Sequence, residues 1–235
     1  MSSSFDNKNL KEILTGFISI KQISTLALGY DCKYYSKLMD SLFTNDLNVE
    51  IYNDLNVEIK GHIIISNHVS FYDFMIVSKL IECYCVSTIV DKELDKTKKY
   101  LENLNIIPYY YEDKNSGEFV KEEIKKLIDS GKNVLVFPEG DLQDGNTIGE
   151  FKRGLFHLAY DNKIPILSCN IIFKSKIDNT LIQSMAYFFE LPLEEPTIKL
   201  YTNEFILPGN FLIFDLFYSK CFTSVRDSYE NHLKK

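Results

Sequence analysis

Short apolar runs alternate with amphipathic stretches along most of this chain. The runs at 62–66 and 133–137 are rich in β-branched residues and bounded by polar or turn residues, which predicts buried strands. The stretch 117–130 instead repeats its apolar residues at helical spacing and stops at Ser130-Gly131-Lys132. Such alternation is typical of an α/β sheet with helices on its faces.

The complete pattern predicts a mixed, mostly parallel central sheet covered by helices. The segments after residue 183 lack helices long enough for crossovers, so the sheet cannot be wholly parallel. A near repeat, Asp46 to Ile51 and Asp54 to Ile59, predicts an antiparallel hairpin turning near Asn53-Asp54. The predicted strands are 46–51, 54–59, 62–66, 84–90, 105–110, 133–137, 165–173, 184–190 and 197–203, and the predicted helices are 70–81, 93–104, 117–130, 153–161 and 211–232.

Two apolar stretches are candidates for contact with a membrane. Residues 10–30 have largely helical spacing and 33–43 can supply a second helix, so we predict an N-terminal helical pair. Periodicity does not say whether a bilayer or the protein's own core covers that face. We therefore divide the chain into a helical segment, 1–45, with candidate membrane contact, and one α/β domain, 46–235. In 205–222 the aromatic residues also recur at helical spacing, and core packing is favoured over an interfacial helix.

Composition narrows the class of protein. The chain has 235 residues, 45% of them hydrophobic, enough for one sizeable core. Its formal charge of −7 argues against a general nucleic-acid-binding surface. Its five cysteines lack metal-site spacing, and Cys83 and Cys85 are taken to face opposite sides of one strand, so no metal site is expected. The polar N-terminus lacks the order of a secretory signal, so we expect exposure to the cytosol.

The first candidate chemistry lies in Asn67-His68-Val69-Ser70-Phe71-Tyr72-Asp73, directly after an isoleucine run. A strand that delivers His68 and Asp73 together at its carboxyl end can form a general-base dyad, because a carboxylate fixes the imidazole tautomer. The alternative is local: Ser70 and Asp73 fit a capping pattern, in which the aspartate binds amide groups at a helix start.

The second candidate is the loop Phe137-Pro138-Glu139-Gly140, which follows a predicted buried strand. Proline lacks an amide donor and glycine permits positive φ, so we expect Glu139 at the carboxyl edge, where open α/β sheets bind ligands. The alternative is an ordinary turn with a solvated acid.

These two motifs, in this order, resemble those of the glycerolipid acyltransferase family, the PlsC-like 1-acylglycerol-3-phosphate acyltransferase group. The segments Asp91-Lys92-Glu93-Leu94, Phe151-Lys152-Arg153-Gly154 and Ile164-Pro165-Ile166 resemble further family segments. The similarity runs from about Val49 to Phe173.

The resemblance implies acyl transfer from acyl-CoA or acyl carrier protein, as co-substrate, to a hydroxyl of a lysophospholipid or related glycerolipid. His68 would be the general base and Asp73 its orienter, with no cofactor and no metal. The partners would be a lipid acceptor, an acyl thioester and a membrane surface, and the location the cytoplasmic face of a membrane, peripherally. The residues expected to bind substrate are Asn67, Tyr111, Pro138, Glu139, Gly140 and Lys152.

Two positions depart from the family pattern. Tyr111 and Leu142 stand where the family has arginines, whose planar fork binds phosphate bidentately. Either Lys152, Arg153 or Lys114 compensates, or the acceptor carries a zwitterionic or neutral head group. The competing interpretations are a catalytically silent lipid-binding relative and, more distantly, a hydrolase, for which no G-x-S-x-G motif is present.

Overall fold

The computed structural model describes residues 49–52, 58–69, 73–78, 80–89, 105–110, 113–173 and 198–233. The predicted N-terminal helical pair, helix 93–104 and strand 184–190 lie outside these residues. The described elements are β1 (Val49–Tyr52), β2 (Ile63–Ile65), α1 (Asp73–Ser78), β3 (Cys83–Ile89), β4 (Ile106–Tyr110), α2 (Ser116–Asp129), β5 (Asn133–Val136), α3 (Gly154–Asp161), β6 (Ile166–Phe173), β7 (Ile198–Ile206), a 3₁₀ turn (Pro208–Asn210) and α4 (Phe214–Leu233).

The strands form one sheet in the order β1-β7-β6-β2-β5-β3-β4. Every described pair is parallel except β6 with β7. The prediction of a mixed, mostly parallel sheet with helices is therefore confirmed.

The strand β2 is the centre of the core. Its three isoleucines are wholly buried, and they alternate between the two faces of the sheet. Ile63 and Ile65 belong to the cluster that α2, α3 and α4 cover, whereas Ile64 belongs to the cluster that α1 helps to cover. A strand buried on both faces has no polar side, which explains its continuous apolar sequence.

The predicted N-terminal hairpin is wrong at the residues that the structure describes. β1 pairs in parallel with β7, placing Val49 opposite Ile198, and Glu58 and Ile59 of the second predicted strand lie in no strand. The near repeat showed two segments with strand propensity, but it carried no information on which edge of the sheet each would join.

The expectation for Cys83 and Cys85 is also wrong. Both thiols are buried in the cluster that contains Ile64. Side chains alternate with a period of two along a strand, so residues two apart share a face. Burial raises the pKa of the Cys83 thiol to about 12, as expected for a packing residue rather than a nucleophile.

The C-terminal helix begins later than predicted. Pro208 opens a 3₁₀ turn, closed by the N–H of Asn210 on the carbonyl of Leu207 at 3.0 Å, and α4 starts only at Phe214. Of the helices in the described ranges, none has both the length and the apolar content required to span a bilayer.

Candidate active site

The register of the sheet brings the two predicted motifs together. Ile65 of β2 lies opposite Val136 of β5 in parallel pairing. The chain segments that follow these residues therefore leave the sheet side by side at its carboxyl edge. His68 and Phe137 lie in these two segments, and their rings stack with centroids 4.1 Å apart and planes at 11°.

His68 and Asp73 are in direct contact. The Nδ1 atom of His68 lies 2.9 Å from Oδ2 of Asp73, and the main-chain N–H of Val69 donates to the same oxygen at 2.7 Å. The Asp73 side chain is wholly buried, whereas 20% of the His68 side chain is exposed. A bond at Nδ1 favours the tautomer with the proton on that nitrogen, which leaves Nε2 as the basic atom. Asp73 thus binds the imidazole and a loop amide at once, at the start of α1.

Glu139 lies behind the His68 loop. Its Oε2 accepts the main-chain N–H of His68 at 2.9 Å, and its Oε1 accepts that of Gly149 at 2.7 Å. Only 6% of the residue is exposed, and it does not line the neighbouring cavity. Burial raises the pKa of the Glu139 carboxyl to about 7, opposed by the two N–H donors and by His68.

The expectation that Glu139 contacts substrate is therefore not met in this geometry. Gly140 adopts a φ of 77° and its N–H closes a turn on the carbonyl of Phe137 at 3.0 Å. Glu139, just before Gly140, thus lies past the end of β5, at the carboxyl edge that the sequence predicted, and its side chain faces the His68 loop.

Asn67 is likewise used within the fold. Its amide accepts the N–H of Ile171 at 2.8 Å and donates to the carbonyl of the same residue at 2.9 Å. The side chain is fully buried and continues the pairing of β2 with β6 beyond the strand. Asn67 does not line the cavity, and its expected contact with substrate stays a prediction.

A cavity of about 700 Å³ opens beside His68. Much of its wall comes from β3, β5, α2 and the start of α3. The apolar lining includes Val86, Ile106, Val120, Ile124, Val136, Phe137, Leu142 and Leu155. The polar lining includes His68, Ser87, Thr88, Lys121, Asp141 and Lys152. An imidazole, a few polar groups and a long apolar wall suit an amphiphilic ligand with a hydrocarbon chain.

Lys152 and Gly140 pack against each other at this cavity. The main-chain N–H of Lys152 donates to the carbonyl of Pro138 at 2.8 Å. Its side chain then crosses Gly140, where an added Cβ would lie 2.9 Å from Cδ of the lysine. The flexible end of the lysine can move away from such a Cβ, so it is the φ of 77° that favours glycine at this position. Pro138, Gly140 and Lys152 all line the cavity, and their contact with substrate stays a prediction.

The other candidate positive charges lie elsewhere. Arg153 forms an ion pair with Asp215, and its guanidinium lies over the rings of Phe214 and Tyr218. Lys114 does not line the cavity, and Tyr111 lies outside the described residues. Among the described lining residues the cationic side chains are Lys121, which pairs with Glu118 at 2.6 Å, and Lys152.

The loop 137–153 is held by hydrogen bonds that the sequence alone does not indicate. The N–H of Gln143 donates to the carbonyl of His68 at 2.7 Å. From α4, the hydroxyl of Tyr229 donates to the carbonyl of Gly145 at 2.7 Å, and that of Tyr218 to the carbonyl of Phe151 at 2.7 Å. No local pattern marks these residues, because each partner is distant in the chain.

The described residues show no group of three His, Cys, Asp or Glu side chains arranged to hold a metal ion. The site places an imidazole at the wall of an apolar cavity that Lys152 also lines, which allows proton removal from a hydroxyl bound there.

A family model and two named relatives match this chain. The family model described as Acyltransferase matches residues 48–172. A Caenorhabditis elegans protein, named among the 1-acyl-sn-glycerol-3-phosphate acyltransferases, is 32% identical over 47% of this chain and 43% of its own. A similarly named Mycoplasma pneumoniae protein is 28% identical, with coverages of 68% and 64%. The chain thus matches less than two thirds of the length of either relative.

A solved structure supports the fold. The crystal structure of the 1-acyl-sn-glycerophosphate acyltransferase PlsC from Thermotoga maritima superposes with a TM-score of 0.64 and covers 97% of both chains. At 16% sequence identity the likeness concerns the architecture alone.

Proposed function

We propose that this chain, which belongs to the acyltransferase family, transfers a fatty acyl group from a thioester to a hydroxyl of a lysophospholipid or related glycerolipid. The names of the matched relatives support this substrate class. The observation that carries the proposal is the bond from His68 to the buried Asp73 at the wall of an apolar cavity.

In the proposed reaction, Nε2 of His68 removes the proton from the acceptor hydroxyl. Asp73 stabilises the imidazolium through Nδ1. The oxygen of the acceptor then attacks the thioester carbonyl, and the tetrahedral intermediate collapses as its C–S bond breaks. The leaving thiolate takes the proton back from His68, so atoms and charge balance. The scheme needs neither an acyl-enzyme nor a cofactor.

We assign Glu139 a positioning role. Its carboxylate fixes the main chain of His68 relative to Gly149, and hence the loop that ends in Lys152. A base must lie within hydrogen-bonding reach of the hydroxyl, so an anchored His68 main chain favours catalysis without substrate contact by Glu139.

We assign the acceptor head group to the neighbourhood of Lys152. An ammonium is a compact point charge and attracts a phosphate without the bidentate geometry of arginine. Leu142, which aligns with a family arginine, lines the cavity without charge. Lys152→Ala should therefore raise the KM for phosphorylated acceptors about tenfold and leave that for monoacylglycerol unchanged, with Lys163→Ala as control.

The proposed acyl donor is acyl-CoA or acyl carrier protein, with the acyl chain against the apolar wall. The proposed location is peripheral, on the cytoplasmic face of a membrane, since both substrates carry long hydrocarbon chains.

Thiol release from acyl-CoA, measured with a panel of lysophospholipids, monoacylglycerols and small alcohols, tests the function. His68→Ala should abolish acceptor-dependent release. The matched control is His62→Ala, because that imidazole lies beside Phe205 with centroids 5.1 Å apart and does not line the cavity. Activity that survives in His68→Ala would disprove the assigned base. Lipid binding without release in wild type would favour the catalytically silent alternative, which the uncharged Leu142 supports.

A further inference from the structure

An exposed apolar ridge precedes and opens α4. Leu212 is 96% exposed, Ile213 is 55% exposed and Leu216 is 56% exposed; we call these three residues the C-terminal ridge. Of the two aromatic residues that flank the ridge, Phe217 faces the core. Phe217 is wholly buried, and its ring lies 5.7 Å from that of Phe211. The segment that carries the ridge is thus packed on the core through Phe217, whereas the three ridge side chains are exposed to water.

The ridge adjoins the cavity through α3. Gly154 and Leu155, at the start of α3, line the cavity. Arg153, directly before them, pairs with Asp215, which lies between the ridge residues Ile213 and Leu216. His157, one turn further along α3, stacks on Phe214. The helix that supplies one wall of the cavity therefore also supports the ridge.

The charges around the ridge point to hydrocarbon as its partner. Arg153 is paired with Asp215, so this cation is already neutralised beside the ridge. The whole chain carries a formal charge of −7, which repels anionic surfaces. Leu212 is almost fully exposed, and none of the three ridge residues lines the cavity beside His68. Burial of the apolar surface of Leu212 is favourable in any hydrocarbon environment.

We propose that the C-terminal ridge inserts into the interfacial region of a lipid bilayer and so holds the cavity against the surface where its substrates reside. This inference rests on the proposed function, because only lipid substrates require the cavity to meet a membrane. The insertion is driven by apolar burial, so it occurs on zwitterionic lipid without an anionic component.

The chain contains no tryptophan, which permits a single-residue probe. In the full-length Leu212→Trp variant, addition of phosphatidylcholine vesicles should shift the emission to the blue, and brominated phosphatidylcholine should quench it. The matched control is Leu233→Trp at the opposite end of the same helix, about 30 Å away, where neither change is expected. Unchanged emission from Leu212→Trp while the protein co-floats with the vesicles would overturn the proposal. A concentration-dependent blue shift without vesicles would also overturn it, because the ridge would then be a contact between two copies of the chain.

The consequence for activity is measured with Leu212→Ser, Ile213→Ser and Leu216→Ser combined. Loss of three inserted apolar side chains should lower vesicle partition and the rate on vesicle-embedded acceptor by about tenfold or more. The rate on a short-chain acceptor below its critical micelle concentration should stay at the wild-type value, and Leu233→Ser should resemble wild type in both assays. Equal losses of rate on both acceptors, or no loss on either, would contradict the proposal that the ridge inserts into the bilayer. Absence of transfer by the wild type to any acceptor would disprove the proposed function and leave the tryptophan result standing.

Discussion

His68 and Glu139 are joined through the main chain: the N–H of His68 donates to Oε2 of Glu139 at 2.9 Å. The ring of the same histidine binds Asp73 at 2.9 Å. The proposed base is therefore held twice, once at its backbone and once at its imidazole, by two buried carboxyl groups with separate tasks. Substitutions at these carboxyl groups should have different kinetic signatures.

Replacement of Asp73 by asparagine should lower kcat about a hundredfold or more with little change in KM. An asparagine amide presented to Nδ1 favours the wrong imidazole tautomer and cannot stabilise the imidazolium. Steady-state kinetics measure the loss, and Asp161→Asn on the exposed face of α3 is the matched control. A variant with wild-type kcat would show that Asp73 serves only the amide of Val69 and the start of α1.

Replacement of Glu139 by glutamine should lower kcat about tenfold to a hundredfold. One of the two N–H donors then faces an amide NH₂ group, and an unsatisfied buried donor costs about 1–3 kcal/mol. Since the carboxylate does not line the cavity, the KM for the acceptor should stay nearly constant. A raised KM at unchanged kcat would instead show that Glu139 binds the head group, as the sequence suggested.

The same carboxyl group should impose a pH dependence on stability. Burial raises its pKa from 4.5 to about 7, so the folded protein binds more protons than the unfolded chain between these values. The contribution of Glu139 to the free energy of unfolding is thus fully present below pH 4.5 and is lost as pH rises through 7, by at most about 3 kcal/mol.

Urea unfolding of wild type and Glu139→Gln between pH 4.5 and 7.5 measures this contribution as the difference between the two curves. The other titrating groups cancel in that difference. Parallel curves would mean that the folded Glu139 titrates like a solvated acid.

Replacement of Gly140 by alanine should destabilise the fold by about 1–3 kcal/mol, because its φ of 77° strains any side chain. The flexible end of Lys152 can move away from the added methyl group, so the double variant Gly140→Ala/Lys152→Ala should recover little of this loss. Thermal unfolding of the four proteins completes the cycle, and a large recovery would show that Lys152 also requires the glycine.

Local sequence patterns were sufficient to predict several helices and strands of this protein and one contact in its candidate site. The period of β-branched and apolar residues predicted β2, β5 and α2 to within a residue or two, since strand and helix periodicity depend only on neighbours in the chain. The spacing of His68 and Asp73 likewise predicted their contact, because only four residues separate them in the chain. For the same reason the family resemblance could be found from motifs alone.

Strand register, the pairing of β1 and the partners of the buried polar side chains depended on the tertiary structure. Partners that lie far apart in the chain are selected by packing on both faces of the sheet. The register of Ile65 with Val136 set the two loops side by side. Asn67 bound Ile171, Glu139 bound Gly149, and β1 joined β7 in place of the hairpin partner. The carboxyl group of Glu139, which the sequence placed at the head group, binds the main-chain N–H of His68 instead. That change depended on where the neighbouring loops lay in three dimensions, which no periodicity records.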